Sequence, residues 1–113
     1  MKQPDTSGAA ITAVDSPETG PGSFLVTGTL GFDSVPGLMN QALRLFVPFD
    51  SLVVDFSGVD DCNSAGLAII LELARLMRQQ NKTICFKSIP EDIHTFARAY
   101  SIEKEFSQSG LLC

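Results

Sequence analysis

Asp60-Asp61-Cys62-Asn63-Ser64-Ala65-Gly66-Leu67 is the stretch on which the fold turns. Before it, Leu52-Val53-Val54-Asp55-Phe56 is almost unbroken in apolarity, as a central strand buried on both faces would be. After it, an apolar-periodic run reads as a helix from Ser64 to about Gln80, with Asn63 as its N-cap. The stretch therefore closes a strand and opens a helix. Its small residues let a partner or another backbone come close. Ser64 falls where the first unpaired N–H groups of the helix point.

On a helical wheel Gly66, Ile69, Ile70, Leu73, Leu76 and Met77 fall together and make the core face. Ser64, Ala68, Leu71, Glu72, Arg75, Arg78 and Gln79 lie opposite. A solvated helix face usually carries Lys or Glu throughout. Here Ala68 and Leu71 place a small apolar patch one to two turns beyond Ser64.

Upstream, residues 1–8 read as a polar tail, and Ala9–Val14 and Ser23–Leu30 as strands that pair in a hairpin across a Pro/Gly-rich turn at 15–22. Val35, Leu38, Met39, Ala42, Leu43 and Phe46 recur at helical spacing, with Asp33 or Ser34 as cap and Pro48 as terminator. Downstream, Thr83–Lys87 reads as a strand. Ser88-Ile89-Pro90-Glu91 reads as a capping box opening a helix striped by Ile93, Phe96, Ala97 and Tyr100. Ser101–Phe106 reads as a short turn that tucks Ile102 and Phe106 back, and residues 107–113 as a tail. This order predicts one α/β domain over residues 9–106. It has a mixed sheet, an N-terminal hairpin, parallel later strands and helices mainly on one face.

The 113 residues carry a net charge of −5 and show no basic stripe, which argues against nucleic acid and anionic lipid as direct partners. No apolar run approaches a membrane span and the N-terminus lacks the apolar centre of a signal peptide, so a cytoplasmic location is expected. Three cysteines, Cys62, Cys85 and Cys113, match no zinc spacing. Cys85 reads as a small core residue and Cys113 as a frayed end. Cys62 has no basic neighbour in sequence to lower its pKa.

Catalytic partners are scarce. His94 has no acid or nucleophile near it in sequence and reads as a surface residue. Asp55, Asp60 and Asp61 form an acidic cluster at a strand end, where a magnesium or phosphoryl site is conceivable. A receiver-type site would also need an acid pair after the first strand and a late Lys, and neither is evident. Turn-forming and capping roles are the simpler reading. Ser64 has no local base for nucleophilic work. Two readings stay open for it: a plain helix-start residue, or a phosphate-accepting switch tolerated by the helix N-terminus. No enzyme activity, cofactor or metal is expected.

Val53-Val54-Asp55-Phe56-Ser57-Gly58-Val59 followed by Asn63-Ser64-Ala65-Gly66-Leu67-Ala68 resembles the signature of the STAS-domain family. The resemblance extends from about Phe24 to Phe106. The segments Leu71–Arg75 and Ile93–Tyr100 look most like the MlaB branch, the STAS subunits of the Mla phospholipid ABC transporters of Gram-negative bacteria. It implies a STAS-like fold and a non-enzymatic subunit that binds and supports the transporter ATPase, maintaining outer-membrane lipid asymmetry. Such a subunit would be peripheral to the inner membrane only through the complex. The implied contact is Ser64, Ala65, Ala68 and Leu71, rimmed by Glu72 and Arg75. The alternative within the family is an anti-sigma-factor antagonist whose Ser64 is phosphorylated by an anti-sigma-factor kinase. The family's acidic residue before that Ser is Asn63 here, which keeps the cap, removes the charge and favours plain docking over a switch.

Overall fold

The computed structural model describes residues 8–14, 21–108 and 110–113; the side chains of Ser107 and Gln108 are not described. Residues 1–7 of the expected tail at 1–8, and residues 15–20 of the expected turn at 15–22, lie outside the described residues. Four strands form one sheet in the order β1-β2-β3-β4: β1 Ala9–Val14, β2 Gly22–Leu30, β3 Ser51–Cys62 and β4 Thr83–Lys87. The β1–β2 pair is antiparallel, and β2–β3 and β3–β4 are parallel. The parallel pairs follow from the long connections: α1 (Val35–Phe46) joins β2 to β3 and α2 (Ser64–Gln79) joins β3 to β4. Two further helices, α3 (Glu91–Ala99) and α4 (Glu103–Gln108), close the chain.

The core lies between the sheet and the helices. Phe24 meets Phe46 of α1 edge-on at 5.0 Å between ring centres, and Phe49 at 5.7 Å. Phe56 meets Phe86 across the β3–β4 pair at 5.8 Å. Such edge-to-face pairs place the positive ring edge on the negative ring face.

β3 departs from its expected burial. Leu52, Val54 and Phe56 are buried, whereas Val53 and Asp55 are half-buried and Ser57 is exposed. Successive side chains point to opposite faces of a strand, and the buried residues of the helices pack against only one of them. The run is therefore apolar without being covered on both sides. β3 also continues through Asp60 and Asp61 to Cys62, so these acids lie in the strand rather than in a turn. Two register shifts between β2 and β3 flank Gly28, whose φ of +94° is left-handed. A Cβ there would sit on the Gly8 carbonyl oxygen, so only glycine fits.

Helix ends differ from their sequence signals. Ser34 occupies the N-cap position of α1 in αR conformation and makes no cap bond. Its buried hydroxyl instead donates to Thr29 O (2.8 Å) and accepts from Gly31 N (2.9 Å), tying the β2–α1 loop together. The capping box at Ser88–Glu91 is not formed. Ser88 adopts φ +56° and the cap position falls on Pro90, so the register needed for the reciprocal bonds is lost. α2 ends in a Schellman motif: Asn81 at φ +62° donates to Arg78 O and Lys82 N donates to Met77 O (2.9 Å).

The frayed chain end is also overturned. Leu111 is buried, Leu112 bridges Phe86 in parallel, and Cys85 is bonded to Cys113. Cys85 is thus half of a disulfide rather than a core residue. It sits on the uncovered sheet face, where residues 110–113 come back along β4 and meet it. Constraining a 28-residue separation is worth about 3–4 kcal/mol on the chain-entropy account.

Candidate functional site

A single residue, Asn63, separates β3 from α2. Its extended backbone turns the chain, and its side chain accepts the Ala65 N–H at 2.8 Å. Its carbonyl accepts from Gly66 N (2.9 Å), and its own N–H donates to Leu30 O (3.0 Å). The last of these bonds ties the corner to the end of β2. The N-cap read from the sequence is present.

Ser64 is the first residue of α2 and is half-buried. Its hydroxyl makes no hydrogen bond to another side chain or backbone group among the described residues. Ala68 is exposed and Leu71 is 37% exposed, so the apolar patch read from the wheel is open to contact. Glu72 and Arg75 are paired through two hydrogen bonds, Nε to Oε1 at 3.0 Å and Nη2 to Oε2. The pair raises the Arg75 guanidinium and lowers the Glu72 carboxyl. Both side chains are near half exposed, so solvent screens the attraction between them.

Ala65 must leave the contact set. It is buried at 3% exposure because it turns inward from the first turn of α2, as do Gly66 and Leu67. Of the expected contact residues, Ser64, Ala68, Leu71, Glu72 and Arg75 remain at least partly exposed on the outer side of α2. Gly66 packs closely inside: a Cβ there would meet Ile93 Cδ1 at 3.2 Å, so the isoleucine would have to shift by a few tenths of an ångström.

Beside the corner lies the β2–α1 loop. Phe32 is 70% exposed and, with Thr29, Gly31, Asp33, Ser34 and Asn63, lines a shallow cavity of about 250 Å³. A large aromatic left this exposed is unusual, since aromatic side chains gain most from burial. The sequence reading missed it, although a lone Phe in Gly31-Phe32-Asp33, outside any apolar period, is a visible signal.

The acidic residues do not converge. Among the described residues no three His, Cys, Asp or Glu side chains form a group able to hold a metal. Asp61 Oδ1 accepts from Cys62 N at 2.9 Å. Asp55 stands on the uncovered sheet face and accepts from Ser57 N at 2.8 Å. Burial pushes its carboxyl up, but the Ser57 bonds, Lys87 and Ser88 outweigh this and hold it below its ordinary value. Cys62 is buried, and that burial, with Asp92 and Asp61, pushes its thiol up, away from reactivity. His94 is half-buried with its ring edge-on to Phe106 at 5.7 Å, so it packs on α4 rather than standing free in solvent.

No helix among the described residues is long and apolar enough to cross a membrane. The family model described as "Mlab, STAS domain" matches residues 22–112. Among solved structures, an anti-sigma factor antagonist from Mycobacterium paratuberculosis superposes with a TM-score of 0.60 at 17% identity, over 84% of this chain and 81% of that one. SpoIIAA, an anti-sigma factor antagonist in its unphosphorylated form, gives 0.59 at 8% identity over 83% of each chain. The STAS domain of an antisigma-factor antagonist from Rhodobacter sphaeroides gives 0.55 at 20% identity, over 71% of this chain and 86% of that one. At such identities the likeness is one of fold. No curated protein matches the chain.

Proposed function

The chain belongs to the STAS-domain family, and from that premise we propose that it is a non-enzymatic subunit of an Mla-type phospholipid ABC transporter, docking on the ATPase subunit. STAS domains are generally regulatory and binding domains. The observation that carries the finer reading is the family match to the branch described as "Mlab" over most of the chain. The open patch of Ala68 and Leu71 beside Ser64 and Phe32 supports it, because it joins apolar contact area to one exposed aromatic. On this reading the chain is peripheral to the inner membrane through the complex alone and needs no cofactor.

The test is capture of the transporter ATPase by the purified chain. Ser64→Glu puts a charge at the centre of the patch, where desolvating it without a partner is costly. It is expected to weaken capture at least ten-fold with the melting temperature within about 2 °C of wild type. Leu71→Asp should do the same. Wild-type capture by both variants would remove this surface from consideration.

A second reading, an anti-sigma-factor antagonist, is favoured by one observation: the Ser64 hydroxyl at the start of α2 is partly exposed and unbonded among the described residues. It requires a single added phosphate on Ser64 after incubation with an anti-sigma-factor kinase and ATP, read by intact mass. Asn63 in place of the family's acid weighs against it.

A further inference from the structure

Residues 110–113 form a strap along the outer edge of β4. Phe86 N donates to Leu111 O at 2.6 Å and Cys113 N donates to Phe86 O at 3.0 Å. Leu111 is 5% exposed and forms one wall of two cavities. The first, of about 330 Å³, lies between α2 and α4 with Leu71, Ala74 and Phe106 among its other walls. The second, of about 360 Å³, lies between α2 and β4, against Ala74 and Ile84. Two backbone bonds, Leu111 and Leu112, and the Cys85–Cys113 bond hold the strap in place. Cys113 is exposed and Cys85 half-buried, so the bond is open to exchange, whereas Cys62 is buried away from it.

We propose that Cys85 and Cys113 form a redox latch whose substrate is a dithiol: reduction frees residues 110–113 from β4 and opens the groove between α2 and α4. A thiolate of the dithiol attacks the exposed Cys113 sulfur. The S–S bond breaks and Cys85 leaves as a thiolate that takes up a proton. The second thiol of the reductant then resolves the mixed disulfide and releases Cys113. The two protons gained come from the dithiol, which is oxidised to a disulfide as the pair gains two electrons. Without the cross-link, two backbone bonds and the side chains of Leu111 and the half-buried Leu112 must hold four residues against their chain entropy, at the edge of a sheet. Reducing compartments keep such pairs as thiols. A chain facing the cytoplasm therefore holds the latch open and closes it on oxidation. Leu71 and Arg75 belong to both the groove and the docking face, so closing the latch alters that face. This last consequence rests on the docking reading; the latch itself does not.

The test is hydrogen exchange by mass spectrometry on the full chain, oxidised and after dithiothreitol, with Cys113→Ser as a second route to the open state. Peptides covering 84–87 and 110–113 are expected to exchange at least ten-fold faster in both open forms, with β2 and α1 unchanged. Equal exchange in the two states overturns the latch, as does protection lost across β2 and α1, which is unfolding rather than release. Immediate labelling of Cys85 and Cys113 by iodoacetamide in the air-oxidised chain also overturns it. A latch that opens as expected in a chain that captures no ATPase leaves the latch standing and sinks the docking reading.

Discussion

Asn63 does the most local work of any residue. Its side chain satisfies one of the four free N–H groups of α2, and its backbone joins β2 to the corner. Asn63→Ala removes the first of these and keeps the second, so a loss of about 1 kcal/mol is expected in urea unfolding, with the fold retained. Asn63→Asp should restore the cap. Asp55 is the residue with a pH signature. Its folded carboxyl is held low, so the stability it contributes is present above the unfolded value of about 4 and is lost as the pH falls through the folded value. Asp55→Asn should flatten the acid limb of stability against pH below about 4 and lower stability at neutral pH, where the charged carboxylate makes its contribution. At this scale the sequence was a fair guide to Asn63 and a poor one to Ala65. Ala65 joins the contact set by its place beside Ser64 rather than by the wheel, while burial of the first turn depends on which strand end lies beneath it.

Among the elements, helix ends carry the instructive differences. The carbonyls at the end of α1 are met by Lys82, whose Nζ donates to Phe46 O at 3.0 Å and Val47 O at 3.1 Å. A cation at a helix C-terminus is favoured by both the free carbonyls and the dipole. Lys82→Met keeps the stem and removes the charge. About 1 kcal/mol of stability should go with it, measured by thermal unfolding, and salt should narrow the gap between the two proteins. The partners are some 36 residues apart in sequence, so no local pattern could announce them. Ser88–Glu91 shows the reverse: the right residues stand at the right spacing, and the turn out of β4 sets a φ that keeps them from closing the box.

For the molecule as a whole, one core ties sheet to helices, and Phe24 sits where β2, α1 and the turn before β3 meet. Phe24→Ala should cost about 3–5 kcal/mol and shift the urea midpoint of a single cooperative transition, seen equally by far-UV dichroism and tyrosine fluorescence. Separate transitions for the two probes would show that the N-terminal hairpin unfolds apart from the rest. Element order, the hairpin and the parallel strands were legible because short β-branched and apolar runs alternate with period-3.6 stretches, and Pro, Gly and capping residues separate them.

The stretch from Asp60 to Leu67 is a strand end and a capped helix start, and the sequence alone determined that, because capping and periodicity act over a few residues. The outward set of Ser64, Ala68 and Leu71 followed from the same short-range geometry. Only the tertiary structure decided that β3 runs on through both acids and is covered on one face, that Ala65 is core, and that Phe32 stands beside the corner. It alone decided that Cys113 returns to Cys85. Each of these depends on which segments, distant in the chain, lie against one another, and that is set by packing the whole core rather than by any window of residues.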